Sequence, residues 1–278
     1  MPSFDGRNFI SLRLHNPSIL LERGWTMTLT QDLKKKAIEV GFVSVGISNP
    51  DMLRDLPYGW VGKISNLRSP EGELPNVKSV MLMGFNAWDK AFNLAVDSPG
   101  WRGYGMHASD EQLEHYQFYY EIMKNKAWTV VEYLIKRGFE SLFSLSIPLK
   151  TAAVKCGLGC QGKSTLLVTP SYGPRVRLIS VLSTAELDID EPYKEDLCGG
   201  CERCVTACPT KALQPFRLKI DRCMTYSAES PYSSDVHEDV RRLERKLIEK
   251  PTPDSYIECT RCIEVCPIGK PHRQKSQK

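Results

Sequence analysis

Apolar positions along the chain recur first with a helical period and then with a strand period. From Thr30 to Val40, Leu33, Ala37, Ile38 and Val40 fall on one side of a helix, with Thr30 or Asp32 as cap candidates and Gly41 as its stop. Phe42 to Ile47 is short and rich in β-branched residues, which predicts a strand. Residues 49–76 are punctuated by Pro and Gly and read as largely loop. Val77 to Phe85 is apolar almost without a break, so it predicts a strand covered on both faces. Residues 87–109 mix Trp88, Trp101, Arg102, Tyr104 and His107 with glycines, which suits a functional loop and a surface loop pinned by aromatics equally well. Glu111 to Arg137 is a long helix with Leu113, Tyr116, Tyr120, Met123, Ala127, Val130 and Leu134 in one stripe, ended by Gly138. Further strands are predicted at Leu142–Ile147 and Val176–Leu182. A last helix is predicted at Asp235–Lys250, with Val236, Val240, Leu243 and Leu247 inward and its charges, Glu244 among them, in solvent.

Helices and strands thus alternate up to about residue 185, which implies an α+β or α/β layer domain over 27–185. A second unit spans 186–278. Residues 1–26 form an extension, and Met27 stands directly before the first helix as a second possible start. At 41% hydrophobic and 25% charged residues the composition is that of an ordinary globule. No apolar run is long enough to cross a bilayer. The first 26 residues show neither a long apolar core nor a twin arginine, so the ten cysteines point to a reducing, cytoplasmic setting and no membrane.

The second unit carries the clearest chemistry. Cys198-Gly-Gly-Cys201-Glu-Arg-Cys204-Val-Thr-Ala-Cys208-Pro209 has the spacing C-x2-C-x2-C-x3-C-P. Three thiolates so spaced wrap one corner of an iron–sulfur cube, and the fourth cysteine of such a run ligates a second cube. Cys259-Thr-Arg-Cys262-Ile-Glu-Val-Cys266-Pro267 repeats the back half, and Cys223 is the candidate for its missing first ligand. Exchanging the fourth cysteines gives two sets: Cys198, Cys201, Cys204 and Cys266 for cluster one, and Cys208, Cys223, Cys259 and Cys262 for cluster two. Two zinc sites would also use eight cysteines, but they explain neither the third cysteine of the first run nor the repeated Cys-Pro. Disulfides suit small secreted domains. The formal charge of +4 hints at nucleic acid. Two cubes of about −2 each bring the holoprotein to about zero, which weakens that hint and leaves tRNA as an open alternative.

Gly157-Leu-Gly159-Cys160-Gln-Gly162-Lys163-Ser164 fits the pattern of a phosphate-binding loop. Its setting does not. Thr151 to Cys156 before it reads as helix, and Pro170 stops the stretch after it, leaving no long helix to hold phosphates. Three glycines in six residues allow a ligand or a second strand to approach the backbone, and a tight turn between helix and strand would use them equally well.

Residues 152–178, from Ala-Ala-Val-Lys-Cys-Gly-Leu-Gly-Cys-Gln-Gly-Lys-Ser to Tyr-Gly-Pro-Arg-Val-Arg-Leu, are similar to the AGLGWIGK…LL…P.YG segment of epoxyqueuosine reductases and the related reductive dehalogenases. Leu187-Asp-Ile-Asp190, both cysteine runs and the lone Cys223 follow in the order of that superfamily, and the resemblance covers most of 27–270. It implies a nitroreductase-like α/β domain that binds cobalamin, followed by a ferredoxin-like domain with two [4Fe–4S] clusters that pass electrons to cobalt. Gly157, Gly159, Cys160, Gly162, Lys163 and Ser164 would lie near the corrinoid. Tyr104, Arg102 and Lys150 would handle protons, as a Tyr with a nearby Lys or Arg does in dehalogenases. The substrate would be a small molecule or a modified nucleoside, and the electron donor a low-potential flavodoxin or ferredoxin. The chain departs from the epoxyqueuosine reductases in having no Asp between Gly138 and Cys156, and in having Cys160 where Trp is usual. Cys156 and Cys160 read either as small buried hydrophobes or as thiols at the corrin face. A competing reading keeps the cubes and makes the chain an electron-transfer protein that reactivates a partner corrinoid protein.

Overall fold

The computed structural model describes residues 27–61, 65–87, 118–231, 233–249 and 258–269. The first helix, α1 (Leu29–Glu39), is capped by Thr28, whose side chain accepts from Gln31 N while Gln31 returns a bond to Thr28 N. That reciprocal box makes Thr28 the cap, two residues before Thr30 and four before Asp32. Thr30 is buried instead, where its hydroxyl accepts from Asp188 N at 2.8 Å. Gly41 turns the chain at φ +105. Strand β1 (Ser44–Ser48) follows.

The stretch expected to be loop is more ordered than its prolines suggested. Pro50 and Pro70 each sit at the first position of a short helix, α2 (Pro50–Leu53) and α3 (Pro70–Glu73), capped by Asn49 and Ser69. There a missing N–H costs nothing. Between them lies the hairpin β2 (Gly59–Val61) and β3 (Ser65–Leu67). Strand β4 (Ser79–Asn86) is buried along almost its whole length, as its composition required. The long helix is described as α4 (Phe118–Ile135). The expected start at Glu111, and the stretch holding Arg102 and Tyr104, lie outside the described residues. Strand β5 (Ser141–Ser144), helix α5 (Leu149–Lys155) and strand β8 (Val176–Ser183) complete the first unit, with a small hairpin, β6 (Cys160–Gln161) and β7 (Leu167–Val168), between the last two.

The main sheet runs β1-β4-β8-β5, every neighbouring pair antiparallel. Alternation along β4 sends Met81, Met83 and Phe85 to one face, against Leu33 and Ala37 of α1 and Met123, Ala127 and Val130 of α4. Val80 and Leu82 go to the other face, against Ala152 and Ala153 of α5 and Leu53 of α2. Two helical layers enclosing an antiparallel sheet make this an α+β unit.

The second unit is built from short pieces: α6 (Arg203–Thr206), the hairpin β9 (Leu213–Gln214) and β10 (Arg217–Leu218), α7 (Met224–Glu229), α8 (Glu238–Leu247) and α9 (Arg261–Glu264). Its apolar core is small, around Met224, Tyr226, Val236, Val240 and Ile248. Two expectations for α8 are corrected. Leu247 is 51% exposed, whereas Glu244 is buried and accepts from Ser227 Oγ at 3.3 Å. The helix is rotated so that this carboxylate faces α7, and Arg241 of the same helix ties down the carbonyls of Ser227, Ser230 and Ser233. No helix of the described residues is long and apolar enough to cross a membrane.

Leu82 is fully buried at the centre of β4. Leu82→Ala is expected to lower unfolding stability by about 2–5 kcal/mol, measured by denaturant titration of the intact chain.

Candidate functional site

The two cysteine runs fold into matching local structures. In each, a single helical turn carries the middle cysteine, Cys204 on α6 and Cys262 on α9, and ends just before a Cys-Pro. α6 and α9 lie against each other, so the two runs face one another. Burial raises the Cys204, Cys223, Cys259, Cys262 and Cys266 thiols, Cys262 to about 12. The neighbouring thiols that add to this rise divide the cysteines. Cys204 is affected by Cys198 and Cys266, and Cys266 by Cys198 and Cys201. Cys259 is affected by Cys223 and Cys208, and Cys262 by Cys259, Cys223 and Cys208, with Cys204 a weaker link between the groups. The grouping has the membership of the two expected sets, and which cysteines ligate which cube is a proposal. Crowded thiols that oppose one another's ionisation need positive charge among them, which iron provides. Among the described residues no three His, Cys, Asp or Glu side chains are gathered closely enough for a single metal ion. A cube instead holds its thiolates apart at its corners.

Set one lies near the surface. Gly199 and Gly200, between Cys198 and Cys201, are exposed, and nothing lies within 4 Å of where either Cβ would be. Set two lines a cavity of about 380 Å³ at the junction of the two units. One end holds Cys208, Cys223, Cys259 and Cys262, with Ala212 N donating to Cys208 Sγ at 3.3 Å. The other end belongs largely to the first unit: Tyr120 of α4, Lys150 of α5, Arg177 of β8 and the Ser164–Leu166 turn.

Lys150 lines the cavity and is exposed. Desolvation, aided by the charge of Arg177, holds its ammonium below the usual lysine range. Glu229, at the end of α7, lines the same cavity and acts electrostatically on both Lys150 and Tyr120. Burial lifts Tyr120 to about 12. Behind this end, Arg177 pairs with Glu258 beside the ligand Cys259, and Tyr119 Oη donates to the same carboxylate at 2.7 Å. The guanidinium also lies 4.9 Å from the Tyr119 ring centroid. Charges and aromatics so enclosed hold Arg177 above its ordinary value, with Glu258 as the main favourable influence against the cost of burial.

The glycine segment forms a hairpin. Gly162 N donates to Leu166 O at 2.8 Å and Thr165 N to Gly162 O at 2.8 Å, with Thr165 at φ +65. A Cβ at Gly159 would stand 2.2 Å from Val168 O, and one at Gly157, 2.7 Å from Glu191 O. Gly162 packs on the Val168 side chain. These glycines therefore serve close approach within the chain, and none of the three lines the cavity. Lys163 is 9% exposed and turns to Glu202 of the cluster unit at 3.6 Å. Ser164 does line the cavity. Cys160 is buried near Cys198, and Cys156 is buried under β1, its thiol raised by burial. Sequence reasoning brought Lys150, Ser164 and the cluster ligands to this region and missed Tyr120, Arg177, Glu229 and Glu258. An Arg inside an otherwise apolar strand, and a Glu directly before a ligand cysteine, were the available signals.

A model of a 4Fe-4S double cluster binding domain matches residues 197–269. The chain is 26% identical over 272 residues to an epoxyqueuosine reductase of Prochlorococcus marinus (strain NATL2A), covering 89% of this chain and 80% of that protein. It is 31% identical over 163 residues to a tetrachloroethene reductive dehalogenase of Dehalobacter restrictus (strain DSM 9455 / PER-K23), covering 54% and 28%. The chain is similar to the epoxyqueuosine reductases and reductive dehalogenases, which are oxidoreductases. It carries the double-cluster domain for two [4Fe–4S] clusters. Among solved structures, epoxyqueuosine reductase with a tRNA-Tyr epoxyqueuosine-modified stem loop shares the fold at TM-score 0.63 and 20% identity, over 87% of this chain. An epoxyqueuosine reductase from Bacillus subtilis, seen with a catalytic Asp loop swung out of its active site, matches at TM-score 0.62 and 21% identity. This chain spans 65% of the length of each of those two structures.

The crossed pairing is tested by single ligand changes. Cys266→Ser is expected to disturb cluster one and Cys208→Ser cluster two, each leaving the other cube's electron paramagnetic resonance signal intact. Run-by-run pairing would reverse that assignment.

Proposed function

We propose that this chain reduces the epoxide of epoxyqueuosine in tRNA, using a corrinoid whose edge would reach the cavity beside cluster two. The observation that carries the reading is the cavity itself, which runs from the four thiols of set two to the polar side chains of the α+β unit. Three curated epoxyqueuosine reductases that align with 88–89% of the chain support this substrate over a halogenated one. The lining suits a corrinoid edge: Ser164, Thr165 and Thr225 offer hydroxyls, Lys150 an amine, and no described lining residue is a histidine. Ser164, Thr165 and Lys150 are the residues that would hold it. When bound, a corrinoid supplies the low-potential metal centre that this reduction requires.

Converting an epoxide to an alkene takes up two electrons and two protons and releases water. The two cubes can each deliver one electron. The protons fall to the protein. The segment from Gly138 to Cys156 has no Asp, but it contributes Lys150. Its ammonium, held below the usual lysine range, gives up a proton more readily than an unperturbed lysine would. The Cys223 and Cys262 thiols, and then Glu229 of the same lining, favour the charged form of Lys150. Arg102 and Tyr104 remain candidates for the second proton.

Anaerobically reconstituted protein is expected to retain stoichiometric cobalt and to convert an epoxyqueuosine stem loop while leaving a halogenated arene untouched. Persistent absence of cobalt would favour electron transfer to a partner corrinoid protein, and dehalogenation would replace the substrate assignment. Lys150→Met is expected to lower turnover about 10²–10⁴-fold with both cluster signals unchanged. Because the donor form is the ammonium, activity should fall as pH rises through a value below the ordinary lysine pKa of 10.5. A flat profile to that pH would remove Lys150 from the role.

A further inference from the structure

Cluster one takes three ligands from the first cysteine run and its fourth, Cys266, from the second. The loop that delivers Cys266 is gripped by the α+β unit. At Gly173, φ +58, a Cβ would stand 2.1 Å from Ile268 O, and a Cβ at Gly269, φ +69, would stand 2.1 Å from the Tyr172 carbonyl carbon. Two backbones cross there with no room for a side chain on either. Two residues on, Arg175 donates from Nη1 to Ile268 O at 2.7 Å, and from Nη2 to Cys266 O at 2.8 Å and Ile263 O at 3.1 Å. One planar guanidinium thus gathers three carbonyls of the ligand loop, a geometry that a lysine ammonium on its flexible stem does not reproduce.

We propose that Arg175 and Gly173 are positioning residues for cluster one. They hold the Cys266 arm at the corner of the cube, so that cluster one is completed only when the cluster unit is seated on the α+β unit. Cluster two draws Cys208, Cys223, Cys259 and Cys262, and the grip reaches it only through Ile263, next to Cys262. The inference concerns cluster assembly and holds for any substrate, so its failure and that of the functional proposal are separate.

The test uses the full chain, reconstituted with iron and sulfide without oxygen. Arg175→Gln and Arg175→Lys should both fall from about eight iron atoms per chain towards about four. The cluster-one signal should be lost or take on the form seen in Cys266→Ser, while the cluster-two signal persists. Retention of both cubes at parental midpoint potentials in Arg175→Gln overturns the proposal. Full recovery in Arg175→Lys also overturns it, because charge alone would then suffice. If both Arg175 variants are insoluble, Gly173→Ala probes the same crossing, and a Gly173→Ala protein with both clusters at full occupancy overturns the proposal.

Discussion

Under the proposed ligation, the second unit depends on the exchange of one thiolate between two distant cysteine runs: Cys208 leaves the first run for set two, and Cys266 leaves the second for set one. Neither cube can close until some sixty residues of intervening chain have folded back, and that loop closure must be offset by metal binding. The small core around Tyr226 and Val240 is too slight to do this unaided. Iron and packing therefore stabilise the unit together.

The α+β unit supplies what the cluster unit lacks, a rigid surface. Strand β8 is central in the sheet, paired on both sides, and the residues at and just before its start reach towards the cysteines. Arg175 reaches the carbonyls around Cys266, and Arg177 reaches Glu258 beside Cys259. An enclosed ion pair such as Arg177–Glu258 adds little net stability once desolvation is counted, but it penalises any other register between the units. The same strand, held on both sides in the sheet, thus touches the loops that carry Cys259 and Cys266.

The double-cluster unit was legible in the sequence because thiolate spacing is local geometry written directly into residue intervals. The apolar run of β4 and the stripe of α4 were legible for the same reason. The glycine segment was not, because a hairpin and a ligand cradle need the same freedom at Gly157, Gly159 and Gly162. Only the positions of Val168 and Glu191 show which is present. Glu244 looked like a surface charge because periodicity sees residue type and not the Ser227 hydroxyl that meets it. Thr28 was missed because its neighbour Thr30 is an equally good cap by type and is used elsewhere. Arg175 and Glu229 act across units, and no local pattern announces such contacts.

The bare Gly199-Gly200 bridge has one more consequence. With no side chain over it, a cube bound by Cys198, Cys201 and Cys204 would be covered there by little more than main chain, the short insulation that lets a carrier hand over electrons. The same opening admits dioxygen and chelators. Damage in air should therefore begin at the outer cube and spread inward, and the buried partner should survive longest as a lone remnant.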